Sequence, residues 1–116
     1  MATYTEARRT GEFLISEASG TRSREEVTIV SGAGALAAGT VLGKITASGK
    51  YDAYDDLDTT TGLGTAAGVL YAAVDATAAD MPAVVIVRDA EVAEVQLTGI
   101  DAAGITDLAA AGVIVR

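Results

Sequence analysis

The chain has 116 residues and a formal net charge of −8 at pH 7, and it contains no cysteine, histidine or tryptophan. The absence of cysteine excludes disulfides and thiolate metal sites. The absence of histidine removes the commonest general base and the commonest metal ligand. No apolar run approaches the ~20 residues of a membrane span. We therefore expect a single domain that is not an enzyme, needs no metal or other cofactor and has no membrane partner.

The charge is distributed unevenly along the chain. Residues 1–24 hold four arginines and three glutamates, a balance of +1, whereas residues 25–116 hold four basic and thirteen acidic residues, a balance of −9. An acidic surface repels phosphate groups, so we expect no nucleic-acid partner. The asymmetry suits a unit that attaches to another protein through its more basic end.

The first 23 residues are predicted to form an extended N-terminal arm, and residues 24–116 a β-rich domain. The arm is polar and contains Gly11 and Gly20, and it has too few apolar residues to fold alone. Charged residues interrupt every apolar run near the start, so a secretory signal is not expected. A chain that begins at Arg24 is therefore expected to fold.

The candidate binding residues of the arm are two adjacent arginines and one apolar cluster: Arg8, Arg9, Phe13, Leu14 and Ile15. In an extended strand, Phe13 and Ile15 share one face and Leu14 takes the other. Such a segment can become ordered by adding a strand to the sheet of a partner. The alternative, a loose chain terminus, stays open at this point.

Two strands joined by a glycine-containing loop are predicted between residues 26 and 45. Val27 and Ile29 alternate with a polar residue, which is the pattern of a half-buried strand. Glycines then interrupt the run, and Leu36 is expected to insert into a core. The β-branched stretch at 40–46 predicts the second strand.

Short strands are predicted along most of the remaining chain, at 50–54, 66–77, 84–88, 92–97 and 113–116. The run at 84–88 is apolar on both faces, which is typical of a central strand covered on both sides. A short helix is predicted with Thr106 as its N-cap and Gly112 as its stop. One helix among many short strands and glycine turns predicts a mainly β fold.

Two short motifs raise the question of a ligand. The run GAGALA at 32–37 matches the permissive dinucleotide fingerprint, but a β-branched run follows it where a helix is required. The aspartates at 55–58 resemble the start of a calcium loop, but Thr61 stands where glycine is required and Ala67 where a bidentate glutamate is required. We interpret the first as a structural turn and the second as a solvated acidic loop.

Four blocks in one order resemble the head decoration proteins of tailed bacteriophages, the phage lambda type: GAGALAAGTVLGKITASGKY, AAGVLYAAVDAT, AVVIVRDAEVAEVQL and LAAAGVIVR. The resemblance covers Arg24 to Arg116. It implies a mainly β fold of the β-clip or β-tulip kind, a small barrel or sandwich, with an extended N-terminal arm. The matching positions that carry over are structural, namely the glycine loop 32–39 and the strand 39–45.

The resemblance also implies a function. The protein is expected to bind the major capsid protein as a homotrimer, on the outer surface of the expanded head at local threefold positions, and to stabilise the head against the pressure of DNA. It implies no enzymatic activity and no cofactor, and a place in the virion after synthesis in the host cytoplasm. A homotrimer also suits the composition, because one phenylalanine and no tryptophan leave few large side chains for the core of a monomer.

The alternative, from a different class, is a small-ligand-binding module of the β-clip type. In that interpretation the loops 32–39 and 55–64 line a site for a sugar or an ion. Sugar binding favours stacking on aromatic side chains, and only 4% of the residues are aromatic. Co-purification with a capsid supports decoration, whereas binding of a defined small ligand supports the alternative.

Overall fold

The computed structural model describes residues 8–116, and within them ten β-strands, one α-helix and one 3-10 helix are formed. The strands are β1 (Leu14–Glu17), β2 (Arg24–Ile29), β3 (Gly34–Leu36), β4 (Val41–Lys44), β5 (Tyr51–Ala53), β6 (Ala66–Leu70), β7 (Val74–Ala76), β8 (Met81–Ile86), β9 (Ala90–Val92) and β10 (Val113–Val115). The helix α1 spans Ala102–Ala111, and the 3-10 helix spans Glu94–Gln96. The prediction of a mainly β fold with one short helix near the C-terminus is confirmed.

Five strands close into a small barrel in the order β2-β5-β4-β6-β8. The barrel closes where β8 pairs antiparallel with β2, from Arg24 opposite Ile86 to Ile29 opposite Met81. The contact between β2 and β5 is a single parallel pair, Ile29 opposite Tyr51. The expected fold was a small barrel or sandwich, and the structure forms the barrel. Its closure leaves these five strands without a free edge.

The central strand predicted at 84–88 corresponds to β8, which lies between β2 and β6. Its consecutive residues Val85 and Ile86 are both fully buried, and each belongs to a different hydrophobic cluster. Because neighbouring side chains of a strand point to opposite faces, β8 is covered on both of them. The sequence indicates this correctly.

A three-stranded sheet packs against the barrel. Its middle strand is β9, with β1 antiparallel on one side and β10 parallel on the other. Side chains from this sheet, the barrel and α1 form one cluster that includes Phe13, Val41, Val69, Ile86, Val92, Leu108 and Val113. A second cluster comes mainly from the barrel strands and includes Ile29, Leu42, Tyr51, Leu70 and Val85. The first cluster joins the two sheets, so it holds the domain together.

The single strand predicted at 66–77 is wrong, because the structure divides this stretch into β6 and β7. Strand β6 belongs to the barrel, whereas β7 forms a two-stranded ribbon with β3, from Gly34 opposite Ala76 to Leu36 opposite Val74. The half-buried Leu36 packs against the barrel cluster, as expected. The chain turns between the strands at Tyr71, whose backbone N–H donates to the carbonyl of Val84 at 3.0 Å.

The strand predicted at 92–97 is also wrong, because β9 ends at Val92 and a 3-10 helix occupies most of the remaining stretch. This helix approaches the backbone at Gly39, where an added Cβ would lie 2.6 Å from the carbonyl oxygen of Gln96. The φ angle of Gly39 is 89°, in the left-handed region that favours glycine. Glycine is therefore required at this position by both space and backbone conformation.

The helix α1 begins earlier than predicted. Its N-cap is Asp101, whose carboxylate accepts a hydrogen bond from the Gly104 backbone N–H at 2.7 Å. The predicted cap, Thr106, lies inside the helix and donates to the Ala102 carbonyl at 3.2 Å. The predicted stop is confirmed, since Gly112 ends the helix with a φ angle of 98°.

Candidate partner-binding surface

The apolar cluster predicted to bind a partner is divided between the core and the surface. Phe13 is 1% exposed and lies in the cluster that joins the barrel to the three-stranded sheet. Leu14 is half-buried and packs against the same cluster, whereas Ile15 is 53% exposed. The common face expected for Phe13 and Ile15 is not formed, because Phe13 lies in the turn before β1 and the pairing register of β1 shifts between Leu14 and Ser16. Of the three residues, Ile15 is accessible to a partner.

The two predicted arginines lie close to the start of the described residues. The guanidinium of Arg8 donates to the side-chain oxygen of Gln96 and to the carbonyl of Val95, the latter at 3.3 Å. The backbone N–H of Arg9 donates to the carboxylate of Glu12 at 3.4 Å, and Arg9 is exposed. Arg8, the first described residue, is therefore connected to the 3-10 helix by hydrogen bonds.

Beside Ile15, the outer face of the three-stranded sheet carries a short polar network. We call the residues Ile15, Ser16, Glu91, Ile114 and Arg116 the outer sheet face. The carboxylate of Glu91 accepts from the Ser16 hydroxyl at 3.3 Å and from the Arg116 guanidinium at 3.0 Å. The hydrogen bond from Arg116 lowers the pKa of Glu91 below its ordinary value. Two exposed isoleucines, Ile15 and Ile114, flank this network.

The sequence analysis missed Glu91, Ile114 and Arg116 as members of a surface. The available signal was the run Val113–Val115, because three successive apolar residues in a strand place the middle one on the opposite face. What the sequence did not indicate was that β10 lies beside β9 in parallel, with Ile114 opposite Glu91. This pairing brings the C-terminal strand to the same face as Ile15.

Strand β1 lies at an edge of its sheet. Among the strands of residues 8–116 it pairs with β9 alone, through Leu14 opposite Val92, Ser16 opposite Glu91 and Glu17 opposite Ala90. An edge strand offers unpaired backbone groups to an added strand. In the 3-10 helix, Val95 is 82% exposed, so an apolar side chain also lies at the surface beside Arg8.

The acidic loop at 55–64 uses its carboxylates to fix its own backbone. The carboxylate of Asp58 accepts from the Thr61 hydroxyl at 2.5 Å and from the backbone N–H groups of Thr60 and Thr61, each at 2.9 Å. These bonds, led by that from the Thr61 hydroxyl, lower the pKa of Asp58 to about 2. Within residues 8–116, no three acidic, histidine or cysteine side chains are grouped to hold a metal ion.

The loop also carries a polar anchor and an exposed apolar side chain. The buried Tyr54 hydroxyl donates to Asp101 at 2.9 Å and contacts Asp56 at 3.2 Å, which connects the loop to the N-terminus of α1. Burial raises the pKa of Tyr54, and the two carboxylates raise it further. Leu57 is 87% exposed at the tip of the loop.

The GAGALA run folds as a turn followed by a strand. Gly32 and Gly34 have φ angles of 93° and 85°, and the residues from Gly34 to Leu36 form β3. The helix that a dinucleotide fingerprint requires does not follow, because the next regular element is β4. The run is therefore a structural element of the ribbon β3–β7.

In the described part of the chain, no helix is long and apolar enough to span a membrane.

Comparison with known proteins adds one finding. A sequence model of the family described as bacteriophage lambda head decoration protein D matches residues 3–113. The match begins well before Arg24, where the recognisable resemblance was expected to start, so it includes β1 and the buried Phe13. No curated protein matched the chain. Because the match spans nearly the whole sequence, the chain belongs to the family of the bacteriophage lambda head decoration protein D.

Proposed function

We propose that the protein decorates the head of a tailed bacteriophage, binding the major capsid protein on the outer surface of the expanded head. It binds as a homotrimer at local threefold positions and stabilises the head against the pressure of packaged DNA. Membership of the head decoration family, over residues 3–113, carries the proposal. The role is structural, so the proposal includes neither an enzymatic activity nor a cofactor.

The N-terminal segment and the outer sheet face supply the contact with the capsid in this proposal. Strand β1 lies at a sheet edge, so a strand of the capsid protein can add to it by backbone hydrogen bonds. The exposed Ile15 offers an apolar side chain at that edge. The predicted arm residues then divide into two roles: Phe13, Leu14 and the internally bonded Arg8 anchor the segment in the fold, whereas Arg9 and Ile15 face the partner.

The homotrimer is supported by the composition and by the benefit of several attachments. A chain of 116 residues with one phenylalanine has few large core side chains, and association buries further apolar surface. Three contacts on one particle also raise the effective concentration of each, so contacts that are weak alone give firm attachment together.

The proposal is tested by mixing the purified protein with expanded heads that lack a decoration protein. We expect sedimentation equilibrium to give a trimer, and we expect the trimer to co-sediment with the heads and to raise the temperature at which they release DNA. A monomer at working concentration contradicts the trimer. Failure to bind expanded heads contradicts decoration, and tight binding of a defined small ligand in its place supports a ligand-binding module.

A further inference from the structure

Strand β1 ends on an ion pair that is better shielded than four other ion pairs within residues 8–116. The carboxylate of Glu17, the last residue of β1, accepts from Arg24 Nε at 3.1 Å, from Arg24 Nη2 at 2.5 Å and from the hydroxyl of the buried Ser23. The side chains of Arg24 and Glu17 are 27% and 18% exposed. The less shielded pairs, with both side chains at least 34% exposed, are Arg22–Asp89, Lys50–Asp80, Arg88–Glu25 and Arg116–Glu91.

The guanidinium of Arg24 also lies over the ring of Tyr71, 4.1 Å from its centroid. Tyr71 in turn contacts the chain before β1, because its carbonyl accepts from the Gly11 backbone N–H at 2.8 Å. An added Cβ at Gly11 would lie 2.9 Å from the tyrosine ring, so the backbone there packs directly against it. The segment from Gly11 to Glu17 is thus held at both ends by one connected group of side chains.

This arrangement compensates for a weak strand pairing. Three residue pairs join β1 to β9, and their register shifts between Leu14 and Ser16. A short edge strand with an irregular register is poorly fixed by its backbone bonds alone. A forked guanidinium–carboxylate pair adds strict geometry, because two parallel N–H groups must meet one carboxylate. The pair at Glu17 therefore selects which residues of β1 face outward.

We infer that Glu17, Arg24 and Tyr71 form a latch that fixes β1 in one register on β9 and so determines which residues of β1 face outward. The latch itself follows from the contacts within the chain. Its second consequence, that Arg24 is a positioning residue for attachment to the head, rests on the proposed function. Arg24 acts through Glu17 and β1 in this role, and its own side chain need not touch the capsid.

The latch is tested first on the free protein, by amide hydrogen exchange of residues 14–18. We expect roughly tenfold faster exchange in Glu17→Gln, which keeps the shape of the side chain and removes its charge. Arg24→Lys keeps the charge but lacks the fork, so we expect a similar acceleration. The matched control Lys50→Gln removes an ion pair away from β1 and leaves this exchange unchanged. Unchanged exchange in Glu17→Gln overturns the latch.

The second consequence is tested by titrating the same variants onto expanded heads. We expect Glu17→Gln and Arg24→Lys to bind roughly tenfold more weakly, with sedimentation and circular dichroism unchanged, and we expect Lys50→Gln to bind as the wild type does. The exchanged pair, Glu17→Arg with Arg24→Glu, is expected to recover part of the loss. Faster exchange in β1 with unchanged head binding overturns the positioning role while leaving the latch in place. Loss of head binding by the control as well contradicts the proposed attachment surface.

Discussion

At the scale of single residues, Phe13 and Ile15 lie two positions apart and have opposite roles. Phe13 is buried where the three-stranded sheet meets the barrel, so Phe13→Ala leaves a cavity in the cluster that joins them. We expect a loss of about 3–5 kcal/mol in the free energy of unfolding, measured with urea. A loss below about 1 kcal/mol contradicts the placement of this ring in the core.

Ile15 is exposed, so its contribution concerns binding. We expect Ile15→Ala to change the free energy of unfolding by less than about 0.5 kcal/mol and to weaken binding to expanded heads. Leu57→Ala is the matched control, because it also shortens an exposed apolar side chain but in the acidic loop. Equal effects of both substitutions on head binding would contradict a contact at β1.

The ion pair at Glu17 gives stability a defined pH dependence. The hydrogen bond from Arg24, supported by that from Ser23, lowers the pKa of Glu17 below its ordinary value of 4.5. A carboxyl with a lowered folded-state pKa stabilises the fold above its unfolded value, and this contribution disappears as pH falls through the folded value. We expect the free energy of unfolding of Glu17→Gln to decline less than that of the wild type below about pH 4.5. Parallel pH profiles for the two proteins contradict this assignment.

At the scale of the elements, the residue at which α1 begins can be tested by comparing substitutions of Asp101 and Thr106. Asp101 caps α1 and also accepts a hydrogen bond from the buried Tyr54 hydroxyl. We expect Asp101→Ala to lower the free energy of unfolding by at least about 1 kcal/mol, because it removes the cap and a partner of Tyr54. Thr106→Ala, the cap expected from the sequence, is the control and should cost less than about 0.5 kcal/mol. The reverse order would place the helix start at Thr106.

The elements that could be predicted are those in which a local pattern and the tertiary contacts agree. The alternation around Val27 and the doubly apolar run in β8 are examples, since burial follows directly from the pattern. The helix start could not be predicted, because alanine and glycine before Thr106 give no amphipathic period and the cap depends on contacts with Tyr54. The turn at Tyr71, which separates β6 from β7, could not be predicted either, because it is set by the pairing of these strands with distant strands.

The candidate site shows the same division. Of the predicted binding residues, Ile15 is exposed on an edge strand and Arg9 is exposed, whereas Arg8 is half-buried and bonded to the 3-10 helix. Their contact with the capsid stays a prediction. The sequence did not indicate that Phe13 belongs to the core, because an isolated apolar triplet looks alike in a free arm and in a docked strand. Phe13 is buried by residues that include Val92 and Val113, which lie about 80 and 100 residues further along the chain.

At the scale of the whole molecule, the boundary expected at residue 23 cuts through a packed unit. Strand β1 pairs with β9, and Phe13 belongs to the cluster that joins both sheets. We therefore expect a chain that begins at Arg24 to be much less stable than the full chain, in contrast to the sequence-based expectation that it folds. Weak binding of this chain to heads is expected from the sequence and from the structure alike. Removal of residues 1–7 is the matched control, because it retains Phe13 and β1. We expect it to change the free energy of unfolding, measured with urea, by less than about 1 kcal/mol. A stable, trimeric chain beginning at Arg24 would restore the original boundary.

The pairing of β1 with β9 also imposes an order of events in time. Strand β1 is synthesised well before its partners, which are Val92 in β9 and, through the buried cluster, Val113 in β10. The five barrel strands also precede both partners in the chain, so they can close while Phe13 is still exposed to solvent. We therefore expect β1 to dock only after β9 has been synthesised, so that Phe13 stays exposed on the growing chain until then.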